Sequence, residues 1–255
     1  MPRRPRRCPA GLPSGRRPAA PLAVRTALAS ADDLGMFFRL ADPANEPTAW
    51  EPVTVLYAPR RGGPLDVILE SVRIKLGACE PRVAASLFFQ GYASRLLSPQ
   101  LGCIAVAGCV PEMPPERLFW RCPGAEMIEL GMTAGRGWEA SDGLLIEQIV
   151  RAAFDEHLQP LTDALQARVR IAEGLLRDNA ASALIGGLRL LSEHIGPGWT
   201  DLAARALAQP RLRESGSLRE REPVFVRRSC CLYYRVAGGG KCADCPLTTR
   251  EPDES

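Results

Sequence analysis

The residues best suited to chemistry are four cysteines near the end of this 255-residue chain. Cys230 and Cys231 are adjacent, ten residues follow, and Cys242 and Cys245 are then separated by two residues. A gap of two lets both thiolates reach one metal ion, and the glycines at 238–240 permit the close backbone approach that a chain around a metal group needs. Four thiolates bind either one tetrahedral zinc ion or an iron–sulfur cluster.

The adjacent pair favours an iron–sulfur cluster over zinc. Successive side chains of an extended chain point to opposite sides, so Cys230 and Cys231 need a bent backbone to reach one metal ion. Two irons give adjacent thiolates more freedom, whereas zinc ribbons commonly use cysteines separated by two to four residues. Disulfides are disfavoured because nine cysteines are an odd number, and because the proline-broken N-terminal segment lacks the apolar core of a secretory signal. We therefore expect a cytoplasmic protein, and on spacing alone zinc stays open.

The cysteine segment resembles a known family. Residues 227–235 read RRSCCLYYR and residues 242–247 read CADCPL, and this pattern is similar to the C-terminal signature of FhuF-like ferric-siderophore reductases. Residues 87–99 and 179–191 are similar to helices of the same family, so the resemblance spans about residues 30 to 250. It implies that a [2Fe–2S] cluster is the cofactor and that its ligands are Cys230, Cys231, Cys242 and Cys245.

The family resemblance also implies an activity. A reductase of this kind delivers one electron to a ferric siderophore, of the hydroxamate type by expectation, and releases Fe(II) in the cytoplasm. We expect no catalytic residue beyond the cluster, because one-electron transfer needs no nucleophile or base. The chain shows no nicotinamide or flavin fingerprint, so a separate ferredoxin, flavodoxin or reductase is the expected electron donor.

Two alternatives from other classes stay open. The first is a non-enzymatic protein in which a structural four-cysteine zinc or iron–sulfur site only stabilises the C-terminal segment. The second is a siderophore-binding or siderophore-biosynthesis module of the same fold. A redox titration distinguishes a structural zinc site from a redox-active cluster, since structural zinc has no accessible reduction potential.

Four basic residues close to the cysteines are candidates for tuning the cluster. Positive charge near a cluster raises its reduction potential, and its hydrogen bonds and exposure also contribute. The alternative is that these side chains are ordinary solvated surface residues of an arginine-rich chain. The candidates are Arg227, Arg228, Arg235 and Lys241.

Composition and charge exclude several protein classes. With 46% hydrophobic and 24% charged residues the chain is globular, and its apolar runs are about half the length of a membrane-spanning helix. Residues 1–25 contain seven arginines and no acid, which leaves 25 basic against 29 acidic side chains in the rest. A slightly acidic body argues against nucleic acid as a partner.

Periodicity predicts an α+β fold with a mixed sheet in the first half, a helical second half and a C-terminal cysteine-rich iron–sulfur segment. Residues 53–57 and 103–107 are predicted as strands, residues 81–97 as a helix that Pro99 ends, and residues 117–121 and 126–132 as a hairpin. Helical spacing begins after Ser141. The predicted organisation is a disordered Arg/Pro-rich extension (1–26), an α+β siderophore-reductase-like domain (27–221), the [2Fe–2S] segment (222–250) and a flexible tail (251–255).

The remaining cysteines, histidines and one asparagine give weaker signals. Cys79, Cys103, Cys109 and Cys122 match no metal-ligand spacing and are predicted to be buried, inert thiols. His157 and His194 lie in no cysteine–histidine motif, which argues against a Rieske-type centre. Asn179 interrupts an apolar helix face and indicates either a polar contact to a ligand or a partly exposed position.

Overall fold

The computed structural model describes residues 16–45, 49–122, 128–133, 135–140, 144–219 and 224–248. Within them the α-helices are α1 Pro21–Asp32, α2 Pro64–Lys75, α3 Pro81–Ala107, α4 Leu144–Ala153, α5 Gln159–Gln166, α6 Glu173–Leu190, α7 Ser192–Ile195 and α8 Trp199–Leu207. The strands are β1 Arg16–Ala19, β2 Glu51–Pro52, β3 Cys109–Pro111, β4 Leu118–Arg121, β5 Glu129–Met132, β6 Gly137–Ala140, β7 Gly216–Leu218 and β8 Phe225–Arg227. Among the described helices, none combines the length and apolar character needed to cross a bilayer.

The strands form small antiparallel sheets around the helices. Their orders are β1-β6-β3, β2-β4-β5 and β7-β8, and a single parallel bridge among the described residues joins Ala41 to Gly131. The predicted hairpin is confirmed, since Leu118 of β4 lies opposite Met132 of β5. The α+β class is confirmed as well, with most helices after residue 144.

Helices α3 and α6 pack against each other and form the centre of the core. Gly187 of α6 allows their close approach, because a Cβ atom there would lie 3.0 Å from Leu101 Cδ1 and 3.2 Å from Ser98 Oγ of α3. Leu96 and Leu184, one from each helix, are buried in the same apolar cluster. The two helices therefore present a rigid surface to the segments that follow them in the chain.

Helix α3 continues through Pro99 to Ala107, so the predicted end at residue 97 and the predicted strand at 103–107 are wrong. Proline inside a helix costs about 3 kcal/mol through a lost hydrogen bond and a clash. Burial of Leu101 and Cys103 offsets that cost. The helix instead ends at Gly108, whose φ of 58° is the left-handed conformation of a C-terminal cap.

Two other local predictions also fail. Val53–Tyr57 is a 3-10 helix rather than a strand. The disordered extension is wrong from residue 16 onward, because Arg16–Ala19 pairs with β6 and Val24 of α1 is fully buried against Cys103 and Cys109. Residues 1–15 and 249–255 lie outside the described residues.

His157 lies in a buried hydrogen-bonded chain rather than at a metal site. It belongs to a π-helical turn, Phe154–Leu158, between α4 and α5. Its Nε2–H donates to Met113 O over 2.7 Å, so Nδ1 accepts from the Tyr57 hydroxyl, also over 2.7 Å. Tyr57 in turn lies 2.5 Å from the Tyr92 hydroxyl. The chain satisfies three buried polar groups of the core.

Acidification should destabilise the fold through His157. Burial lowers the pKa of His157 from 6.5 to about 4, against the opposing effects of the Met113 carbonyl and Glu116. Because the unfolded chain then binds a proton first as pH falls, stability is lost between about pH 6.5 and 4. The gap of about 2.5 between the two pKa values corresponds to about 3 kcal/mol.

Urea unfolding at pH 7 and pH 4 should measure this loss, with His157→Gln as the comparison. Carboxylates contribute to the pH dependence of both proteins, and His157 contributes only to the wild type. The wild type should lose about 3 kcal/mol more than the variant over this interval. Equal losses in the two proteins would contradict the assignment.

Candidate metal centre

The four cysteines lie on a compact loop between β8 and residue 245. The loop passes through the 3-10 turn Tyr233–Arg235 and uses left-handed backbone at Leu232 (φ 71°) and Gly238 (φ 72°). Its two ends are joined by a hydrogen bond from Arg227 N to Asp244 O (3.1 Å). The left-handed backbone at Leu232 turns the chain directly after the two adjacent cysteines.

The thiols of this loop lie as two pairs. Cys231 Sγ and Cys242 Sγ are 3.7 Å apart, and the Cys230 side chain contacts that of Cys245. Among the described residues, no three His, Cys, Asp or Glu side chains are grouped so as to hold a single ion. Two thiolates bound to one tetrahedral metal at about 2.3 Å would be about 3.8 Å apart. The donor set fits two metal ions with two cysteines each, as a [2Fe–2S] cluster requires.

The loop covers one side of this donor set and leaves the other side partly open. Cys231 and Cys245 are 2% and 1% exposed, whereas Cys230 and Cys242 are half-buried. The Leu232 backbone N–H points at Cys230 Sγ over 3.4 Å. A hydrogen bond from Cys242 lowers the pKa of Cys231 to about 6, and the Tyr233 N–H and Arg227 act in the same direction. These contacts favour the thiolate at Cys231 alone, because burial raises the pKa of Cys230 to about 11 and the hydrogen bond to Cys231 raises the pKa of Cys242.

Arg227 is fully buried beneath the loop and is paired on every side. Its guanidinium donates to Asn179 Oδ1 (2.6 Å) and to Ser182 Oγ, both on α6. It also donates to Oδ2 of Asp244 (3.0 Å), which lies between Cys242 and Cys245 in the sequence. Burial alone would raise the pKa of Asp244, but Arg227 and further hydrogen bonds hold it below its usual range. A buried arginine needs such a complete set of acceptors.

A second set of hydrogen bonds joins the loop to α3. Ser86 donates to the Cys231 carbonyl over 2.7 Å, and Asn179 Nδ2 donates to both Ser86 oxygens over 2.9 Å. On the other side of the loop, Asp178 accepts from the Ser229 N–H (2.9 Å) and hydroxyl (2.5 Å). Helices α3 and α6 thus fix the backbone that carries the adjacent cysteines Cys230 and Cys231.

The four basic candidates lie in different environments. Arg227 is buried and acts on Cys231 and Cys242. Arg228 is exposed and pairs with Glu214 over 2.9 Å. Arg235 pairs with Glu80 and lies over the Tyr234 ring, and Lys241 is exposed. The structure therefore brings one of the four into the interior of the site.

Asn179 is the residue whose role the sequence did not reveal. It is completely buried, and its partners are Arg227 and Ser86 rather than solvent. Both interpretations from the helix pattern, a ligand contact and a partly exposed position, are therefore wrong. An amide at a buried position of α6 was the available signal, but its partners are about 50 and 90 residues distant in the chain.

The other described cysteines belong to neither thiol pair, although Cys122 lies near Cys231 and Cys242. Cys103 and Cys109 are buried as predicted, and burial raises the pKa of Cys103 to about 12. Cys79 and Cys122 are exposed, so the predicted burial is wrong for these two. Cys103 and Cys109 are unreactive under ordinary conditions, because the thiol rather than the thiolate prevails.

Comparisons with known proteins agree with this geometry. Residues 227–247 match the family model described as the FhuF 2Fe-2S C-terminal domain. The matched residues begin at Arg227 and include the four paired cysteines. A comparison of the chain with curated proteins gave no match. The family resemblance seen in the cysteine segment is confirmed for residues 227–247. The cofactor of this segment is a [2Fe–2S] cluster.

Proposed function

We propose, for a chain whose residues 227–247 carry a FhuF-type 2Fe–2S C-terminal domain, that it reduces a ferric siderophore by one electron in the cytoplasm. Cys230, Cys231, Cys242 and Cys245 are the proposed ligands of the cluster. The observation that carries the proposal is the arrangement of these thiols as two pairs, one of them 3.7 Å apart. The half-buried Cys230 and Cys242 leave an edge through which an electron can pass.

The chain's own residues have three tasks in this reaction. When bound, the cluster supplies a one-electron donor, and Fe(II) leaves the siderophore's oxygen ligands more readily than Fe(III). Ser86 and Asp178 hold the loop in place through Cys231 O and Ser229. Arg227 places a fixed positive charge beside two of the thiolates, which favours the reduced state. The buried side of the loop excludes water from Cys231 and Cys245.

A structural role for the cluster is the second candidate. The observation that favours it is the number of hydrogen bonds between the loop and helices α3 and α6, since a metal group there would also stabilise the C-terminal segment. This alternative predicts a bound cluster that exchanges no electron with a ferric chelate. The two candidates therefore differ in a measurable rate.

The test of the proposed function is reduction of a ferric siderophore by anaerobically purified protein. Iron and sulfide assays should give two of each per chain, and dithionite should produce a one-electron EPR signal. Mixing the reduced protein with a ferric siderophore should then yield about one Fe(II) per chain, trapped by a colorimetric Fe(II) chelator. A cluster that reduces and reoxidises with ferricyanide but leaves every ferric siderophore intact would overturn the proposal in favour of the structural role.

The electron donor is proposed to be a separate ferredoxin, flavodoxin or reductase. The proposed reaction consumes one electron per Fe(III), so the oxidised protein must be reduced again by a partner. The partly exposed edge at Cys230 and Cys242 is one place where such a partner could dock. Reduction of the protein by each donor class under anaerobic conditions identifies the partner.

A further inference from the structure

A cavity between α2 and α3 reaches the cysteine segment. It encloses about 410 Å³, and Cys231 and Cys242, the pair with sulfur atoms 3.7 Å apart, form part of its wall. This volume is typical of a small-molecule site. A molecule that fills this cavity, here called the α2–α3 cavity, lies against the thiol pair.

The walls of the α2–α3 cavity show what kind of molecule fits. Most of the wall is apolar and comes from Ile68 and Val72 of α2, from Leu76 directly after α2 and from Phe88 of α3. Lys75 is the one lysine, arginine or carboxylate side chain among the described residues that line it, and its charge opposes the negative charge that Cys231 and Cys242 carry as thiolate ligands. A mostly apolar wall with opposed charges at one end accepts a neutral molecule with an apolar part.

Gly91 keeps the cavity open. It lies inside α3, where glycine costs about 1 kcal/mol relative to alanine. A Cβ atom at this position would meet nothing within 4 Å, so close packing does not require the glycine. A larger side chain at Gly91 would therefore occupy part of the cavity and would not clash with a neighbouring atom.

A second groove adjoins the α2–α3 cavity at Gln90 and Ser94, which line both, and provides a comparison. It encloses about 240 Å³, is lined by Gly186 and Arg189 of α6 and by Asp244, and has no cysteine among its described lining residues. Gly186 is again a helical glycine whose added Cβ would meet nothing within 4 Å. The chain thus offers two matched glycines, of which only Gly91 lines a cavity that contains the thiol pair.

We propose that the α2–α3 cavity binds the apolar arm of a neutral ferric chelate and holds its iron beside Cys231 and Cys242. This inference rests on the proposed function and adds to it the place and the chemical class of the substrate. One electron leaves the reduced protein and converts Fe(III) to Fe(II), and no bond between protein and chelate forms or breaks. The electron is supplied beforehand by dithionite or by the donor.

The test compares Gly91→Leu with Gly186→Leu and the wild type. Each protein is reduced, freed of dithionite and mixed with one of two neutral probes, the tris-acetohydroxamate or the tris-hexanoylhydroxamate complex of Fe(III). Since each buried CH₂ contributes about 4-fold, the wild type should react at least about 10-fold faster with the hexanoyl complex. Gly91→Leu should reduce this preference to about 2-fold or less, and Gly186→Leu should retain it.

Two controls separate folding and function from binding. Ferricyanide, which is small and needs no cavity, should reoxidise all three proteins at similar rates, and iron content should be equal. Binding of the redox-inert Ga(III) tris-hexanoylhydroxamate complex, measured by calorimetry, should weaken about 10-fold in Gly91→Leu alone.

The outcomes distinguish the cavity from the proposed function. Loss of the hexanoyl preference in Gly186→Leu but not in Gly91→Leu would move the substrate to the second groove and overturn the cavity assignment. An unchanged preference in both variants would overturn it too. If the wild type reduces neither iron complex, the proposed function fails, and Ga(III) binding that depends on Gly91 still supports the cavity as a chelate site.

Discussion

Cys231→Ala is expected to purify with at most about one-tenth of the wild-type iron and sulfide and without the EPR signal of the reduced protein. Cys231 is 2% exposed, its sulfur lies 3.7 Å from that of Cys242, and its carbonyl is fixed by Ser86. Alanine has no donor atom, so one of the four thiolates that the cluster needs is lost. Iron, sulfide and EPR measurements on anaerobically purified protein provide the check.

The matched control is Cys79→Ala, which removes an exposed cysteine outside the pairs. Its iron and sulfide content should equal that of the wild type, which shows that the loss in Cys231→Ala is specific. Wild-type iron content in Cys231→Ala would show that Cys231 is not a ligand.

Arg227→Met is expected to destabilise the protein by about 3–5 kcal/mol. Methionine fills a similar volume, but the change leaves Asn179 Oδ1, Ser182 Oγ and the Asp244 carboxylate without the guanidinium that they share. A half-buried carboxylate without its partner is costly. Urea unfolding of cluster-loaded protein measures the loss.

The neighbouring arginine supplies the control for this prediction. Arg228 carries the same charge one residue later, but its side chain is 63% exposed and pairs with an exposed Glu214. Arg228→Met should therefore change stability by less than about 1 kcal/mol. Similar effects of the two substitutions would contradict the assigned difference between buried and surface arginine.

The same pair of residues also tests how charge acts on the cluster. Arg227→Lys keeps the positive charge but loses the planar guanidinium that donates to several acceptors at once, so the variant should be less stable than the wild type. Its midpoint potential should stay close to that of the wild type. Arg227→Met should give a more negative midpoint potential, because the positive charge that favours the reduced state is removed. An unchanged potential in Arg227→Met would remove Arg227 from the redox role and leave it a structural one.

Local chemistry in the sequence identified the segment that matches the 2Fe-2S domain. The cysteines of each sequence pair, Cys230 with Cys231 and Cys242 with Cys245, are close together in the chain. Their spacing alone therefore limits how their sulfur atoms can bind a metal. The hairpin of β4 and β5 was predictable for the same reason, since only residues 122–128 separate the two strands in the sequence. Periodic apolar residues similarly predicted the helical second half.

The predictions that failed depend on contacts between distant residues. Pro99 normally ends a helix, but the burial of the residues after it against α1 and α6 outweighs that local preference. Asn179 and Arg227 find each other across 48 residues, and Ser86 reaches Cys231 across 145. Such partners leave no periodic trace in the sequence, so the hydrogen bonds around the cluster could not be predicted from it.

The contact between Ser86 and Cys231 has a consequence for the order of events during synthesis. Translation runs from the N-terminus, so all residues of α3 and α6 are added to the chain before Cys230. The contact of Cys231 with Ser86 is therefore among the last that the chain can make. Incorporation of iron and sulfide is then a late step, in which a short loop of 16 residues closes on an existing surface rather than organising the whole chain.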